Sequence, residues 1–164
     1  MHRILKTVAI AAGLISASAT IALATPAGTS NTFTATSQLA TFSAVHGYPA
    51  VGGSAILSGP LYQQPGGQGA QVDHITTTGH PAPNVFTSRA IDVHYLARGT
   101  QRFKFTSTET LEADGSLKIV GSGPLTGGTG AYRGARGRFS FLCIAPTVTG
   151  TITCHTKGTF KTRA

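Results

Sequence analysis

The stretch Gly127-Gly128-Thr129-Gly130-Ala131-Tyr132-Arg133-Gly134-Ala135-Arg136-Gly137-Arg138-Phe139-Ser140-Phe141 interleaves glycine with arginine and then runs into an alternation of phenylalanine with other residues. Glycine beside arginine suits a phosphate cradle, a nucleic-acid patch or a sharp corner in a β-barrel. Local order removes the first. A P-loop needs G-x-x-x-x-G-K-[S/T] opening a helix, so that backbone N–H groups face the anion, but Gly134 is followed by Ala135 and Arg136. A dinucleotide fingerprint needs G-x-G-x-x-G between strand and helix, and Gly128 to Gly134 has one residue too many. The residues after the motif are strand-like: Phe139, Phe141 and Cys143 alternate with Ser140 and Leu142.

The amino terminus reads as a targeting segment. His2, Arg3 and Lys6 form a basic lead, Val8 to Leu23 an apolar run, and Ala22-Leu23-Ala24 a small-residue cleavage site. The run is interrupted by Gly13, Ser16, Ser18 and Thr20 and falls short of the roughly 20 apolar residues that span a bilayer. The expectation is a signal peptide over residues 1–24, a polar leader over 25–31 and a single domain over 32–164, secreted after cleavage near Ala24. About 140 residues remain, enough for one core.

The formal charge of +8 falls to about +6 when Arg3 and Lys6 leave with the signal. No Lys, Arg, Asp or Glu occurs from Thr25 to Val72, and the basic residues gather from Arg89 onward. A cationic secreted chain suits an anionic cell surface or simply stays soluble. Arg98, Arg102, Lys104, Arg133, Arg136 and Arg138 lack the aromatic interleaving of a base-stacking surface, so neither nucleic acid nor a membrane span is expected. His46, His74, His80 and His155 show no metal-ligand spacing, and no metal or organic cofactor is expected.

Cys143 and Cys154 lie in two strand-like runs joined by a short Pro- and Gly-containing loop. An even, close pair in an oxidising compartment reads as a disulfide across a hairpin.

No long helical period occurs. Short runs rich in Thr, Val, Ile, Phe and Tyr suggest strands at Thr32 to Val45, Ser54 to Tyr62, Val72 to Thr78, Val85 to Ala97, Gln101 to Glu112, Ser116 to Gly121, Gly137 to Ile144 and Thr151 to Thr162. Turns are expected at Gln64-Pro65-Gly66-Gly67, Gly79-His80-Pro81-Ala82-Pro83 and Arg98-Gly99-Thr100, with a type I′ hairpin at Asp114-Gly115. About eight strands at this spacing argue an all-β sandwich or up-and-down barrel.

Pro124 to Gly137 resembles the G-G-T-G-x-[F/Y]-x-x-A-R-G hallmark of dirigent proteins and the bacterial allene oxide cyclase barrel-like proteins. Val51-Gly52-Gly53-Ser54, Ser58-Gly59-Pro60-Leu61-Tyr62 and Ala113 to Gly121 fall upstream in the order that family shows. The resemblance implies an eight-stranded antiparallel barrel, often a homotrimer, whose apolar lumen takes a hydrophobic small molecule. It further implies cofactor-free cyclisation or stereoselective coupling; the alternatives are a non-catalytic carrier of a hydrophobic ligand and, from the charge, a cationic cell-surface-binding protein. The glycines are then corner residues of a coiled sheet.

Arg136 matches the arginine of A-R-G, which in dirigent proteins reaches the pocket region, and its fork would orient a phenol, carboxylate or enolate. Asp92 and His94 share one face of their strand, with Ile91, Val93 and Tyr95 on the other. The pair is either an acid/base couple or a polar row on the outer wall. Tyr62, Tyr95 and Tyr132 are candidate hydrogen-bond donors to a substrate.

Overall fold

The computed structural model describes residues 30–45, 47–146 and 150–162. The expected signal peptide and most of the leader lie outside them, as do His46 and the middle of the last loop.

Alternation decides the architecture. Along Gly99–Leu111, Gln101, Phe103, Phe105, Ser107 and Glu109 are buried while Arg102, Lys104, Thr106 and Thr108 are exposed. A strand sends successive side chains to opposite faces, so one face here is enclosed. The same holds through eight strands: β1 (Asn31–Val45), β2 (Ser54–Gln64), β3 (Gly67–Ala82), β4 (Val85–Leu96), β5 (Gly99–Leu111), β6 (Leu117–Gly128), β7 (Arg136–Ala145) and β8 (Ile152–Lys161). Each pairs antiparallel with the next, and β8 returns to β1. Closure leaves no unpaired sheet edge. The eight-stranded up-and-down barrel is therefore the fold, not a sandwich.

Successive hairpins give the barrel two mouths. The β2–β3, β4–β5 and β6–β7 turns gather at the motif mouth; the β1–β2, β3–β4, β5–β6 and β7–β8 connections form the far mouth.

The glycine segment sits differently from expectation. β6 runs through Gly121 to Gly128, so the first two motif glycines are strand residues. A bulge at Arg102/Phe103 opposite them leaves Thr126 as an extra residue. The chain then turns through a short 3-10 segment, Gly130–Tyr132, which folds over the motif mouth. The Thr129 and Ala131 N–H groups donate to the carbonyls of Thr100 (3.0 Å) and Arg98 (2.8 Å), tying the segment to the β4–β5 turn. Tyr132 is buried, its ring 6.0 Å from that of Phe160. A Cβ on Gly128 would lie 2.8 Å from the Tyr132 Cβ, so the plug needs glycine there.

Two turns depart from expectation. β3 continues through Gly79-His80-Pro81 to Ala82, with irregular pairing after Thr77, and the reversal falls at Pro83–Asn84. At Asp114-Gly115 the Gly115 N–H donates to Glu112 and the Glu112 N–H to Ser116, so a three-residue loop with Gly115 at φ 83° replaces the type I′ turn. Asp114 Oδ1 accepts from the Ser116 N–H at 2.9 Å.

Phenylalanine fills the apolar part of the interior. Phe103 lies 4.7 Å from Phe139 and 5.9 Å from Phe33, and Phe105 4.8 Å from Phe141, centroid to centroid. Burial contributes roughly 2 kcal/mol for each such side chain. Phe141 lies against Gly121, where a Cβ would collide with its ring. Cys143 and Cys154 are direct partners across β7 and β8, buried and joined by a disulfide, as the hairpin reading expected.

Candidate functional site

Inside the barrel, polar side chains stand in registered layers. Asp73 on β3 is the direct partner of Asp92 on β4, and both face inward with 4% and 2% exposure. One layer nearer the motif mouth, Gln71 pairs with His94 and His94 with Gln101. Ile91 and Val93, the apolar residues between them, face outward half-buried. Asp92 and His94 are thus lumenal, and the outer-wall alternative is excluded.

Hydrogen bonds fix the proton arrangement. Gln63 Nε2 donates to the Pro65 carbonyl at 3.2 Å, which turns its Oε1 toward His94 Nδ1 at 2.9 Å. An amide oxygen only accepts, so Nδ1 carries the imidazole proton and Nε2 presents its lone pair. That Nε2 stands 3.1 Å from Asp92 Oδ2, at the distance but not the angle of a hydrogen bond. Gln71 Nε2 donates to both Asp73 oxygens, at 3.1 and 3.2 Å.

Burial dominates the electrostatics. It lifts the Asp73 carboxyl well above the ordinary range, and the neighbouring Asp92 lifts it further. It raises Asp92 to about 7, against the hydrogen bond with Asp73. It lowers His94 to about 4, opposed by the charge of Asp73. No Lys or Arg among the described residues is buried to neutralise the pair. Two carboxyls this close cannot both ionise cheaply, so near neutral pH the couple retains a proton beside a neutral imidazole.

Gln71, Asp73 and Asp92 line a small cavity whose other walls are Phe105, Phe139, Phe141, Cys143, Cys154 and Thr156. The centre of a water-sized sphere has ≈ 20 Å³ to move in, about the room for one water. Asp92 Oδ1 and Gln71 Oε1 are buried without a protein partner. Carboxyl groups on one side and aromatic rings on the other give a place where a polar atom of an apolar molecule can meet an acid.

A second polar layer lies toward the far mouth. Thr77 pairs with Ser88 and Ser88 with Ser107, all buried, with Glu109 beyond them. The Tyr48 hydroxyl, from the β1–β2 connection, donates to Glu109 Oε2 at 3.4 Å. Burial and Glu109 push the Tyr48 phenol up.

The other candidates separate. Tyr132 is inside, at the plug. Tyr62 and Tyr95 are 50% and 49% exposed, because Leu61, Gln63, His94 and Leu96 on either side of them take the inward positions. Neither reaches the lumen. Arg136 also faces out: Ala135 beside it is fully buried, and the Arg136 Nη1 donates to the Ala135 carbonyl at 2.8 Å. Asp73, Gln63, Gln71 and Gln101 escaped the sequence reading. Asp73 had a signal, since a hairpin reversing near Pro83 brings it close to Asp92.

The barrel backbone has counterparts among solved structures. That of the pterocarpan synthase dirigent protein PsPTS1 superposes with a TM-score of 0.56 over 84% of this chain and 98% of that one, at 11% identity. That of GePTS1, also a pterocarpan synthase dirigent protein, gives 0.50 over 83% and 86%, at 13% identity.

The fold is the dirigent barrel.

No protein-family model matches the sequence, and no curated protein does. At these identities the likeness is one of backbone, and the chemistry of this dirigent-type barrel rests on its own lumen.

Proposed function

We propose that this dirigent-type barrel is an exported protein that binds a small, mostly apolar molecule and steers its cyclisation or stereoselective coupling without a cofactor. The observation that carries the reading is the Asp73–Asp92 pair, two facing carboxyls buried beside His94 and a phenylalanine wall. A carboxylic acid kept neutral by burial can donate a hydrogen bond, or a proton, to a phenolate, enolate or carbonyl oxygen. Asp73 or Asp92 is the donor, and the same carboxylate takes the proton back when the product forms, with His94 Nε2 facing the pair as an acceptor. The aromatic rings hold the carbon skeleton in one conformer and exclude water. Because the free space beside the acids is small, a substrate enters by displacing side chains of the cavity wall. Export is supported by the sequence of residues 1–24 and by the disulfide.

The test is a reactive phenolic or allene oxide precursor offered to substoichiometric protein, with product and stereochemical ratios read by chiral chromatography. A shifted ratio that disappears in Asp92→Asn supports the reading. An unchanged ratio overturns it, and a ligand recovered intact on denaturation assigns a carrier instead.

A further inference from the structure

The outer wall carries a charge arrangement that the lumen chemistry does not use. The chain has only five acidic residues. Asp73, Asp92 and Glu109 are buried inside, and Glu112 and Asp114 sit on the β5–β6 turn at the far mouth. Among the described residues, the outer face of β5 to β8 toward the motif mouth therefore has no acidic side chain. It does carry exposed Arg102 and Lys104 on β5, Arg136 and Arg138 on β7, and Lys157 and Lys161 on β8.

Register gathers them. Arg136 is the cross-strand partner of Lys161. Arg102 pairs with Gly127, and the Arg136 guanidinium lies over that same glycine, its Nη1 3.4 Å from where a Cβ would stand. A groove results between β5 and β6, floored by Gly127 and Gly128, walled by Arg102 and Lys104 and edged by Thr126 and Thr129. Like charges this close repel, and a sequence that places them together without acids suits an anion lying between them.

We propose that this face binds a flexible linear polymer of repeating phosphates that carries no bases, with the glycine-floored groove as its first subsite. The cations span four of the eight strands, half the circumference of a small barrel. A convex arc of that kind cannot touch a flat bilayer at every cation, nor a stiff duplex, whose persistence length is about 50 nm. A flexible chain can follow it. Cations two positions apart on one strand stand about 7 Å apart, which suits a repeating charge rather than a single ion. Arginine supplies the fork that fits phosphate oxygens. The six cations are not interleaved with aromatic side chains on their strands' outer faces, which separates the face from a base-stacking surface.

The experiment titrates the protein with long-chain inorganic polyphosphate by calorimetry at several salt concentrations. Affinity is expected to fall steeply with salt, linearly in log–log form. Replacing the face with R102Q/K104Q/R136Q/R138Q should weaken binding at least tenfold and flatten the slope by about one for each phosphate no longer neutralised. R89Q/K118Q, exposed cations nearer the far mouth, should leave affinity and slope unchanged, with thermal melts confirming that both variants fold. Equal losses in the two variants, salt-insensitive binding, or no binding at low salt would overturn the proposal. So would tighter binding to oligothymidylate, to duplex DNA or to phosphatidylglycerol vesicles, each of which assigns the face elsewhere.

Discussion

The lumen and the outer wall of this barrel are built from the same strands and sort their ionisable groups by sign, acids inside and cations outside. On β4 and β5 the inward positions hold Asp92, His94 and Glu109, while the outward positions hold Arg89, Arg102 and Lys104. Neither set is paired with the other, since a strand separates them at every point. The difference teaches that the acids are not there to balance the arginines. Burial without a counter-charge costs stability, and such groups are more often found where a reaction needs them.

The sharpest way to break this division is to remove the inner acid. Asp92→Asn keeps the shape but not the proton, and should cut product steering by about 100-fold or more, the usual worth of acid/base assistance, as read from product ratios. Next is the cost of holding the acids. Asp92 stays protonated up to about pH 7 in the fold, whereas an unfolded aspartate ionises near 4. Its favourable contribution is therefore full below about pH 4 and is lost as pH rises toward 7. His94, held at about 4, works in the opposite sense, losing stability as pH falls from about 6.5 to 4. Asp73→Asn/Asp92→Asn removes both carboxyls and, with Asp73, the charge that opposes the lowering of His94. The double variant should gain stability relative to the parent as pH rises from 4 to 8, measured by denaturant unfolding; a difference that does not vary with pH would show that the carboxyls are not held protonated.

The disulfide offers a smaller effect. Cys143 and Cys154 are 11 residues apart, and closing so short a loop contributes about 2–3 kcal/mol. Reduction should lower Tm accordingly and leave the outer-wall cations where they are. The smallest effect is expected from Arg136→Gln, which should change product ratios less than about twofold, because its guanidinium is outside; a large loss would join wall to lumen.

Much of the fold was legible in the order of the amino acids. Short β-rich runs, explicit turns and the glycine segment pointed to the barrel, and the two cysteines to their own pairing. Facing was harder. On β4 the hydrophobic rule favours Ile91 and Val93 for the interior over Asp92 and His94, and here it fails because this lumen is partly polar and the outer wall partly apolar. Arg136 was undecidable for a different reason: the bulge at Thr126 and the Gly130–Tyr132 turn reset the alternation just ahead of it. The Asp73–Asp92 register depended on the irregular pairing after Thr77, a shift the sequence does not announce.

Closure of β8 onto β1 puts Asn31 opposite Phe160, so the two ends of the barrel chain lie side by side. The backbone is in effect a ring, with no strand privileged as first. A permuted gene that joins these ends through a short linker and opens at the exposed Asp114-Gly115 loop should encode the same barrel, with its new termini at the mouth away from the cationic face.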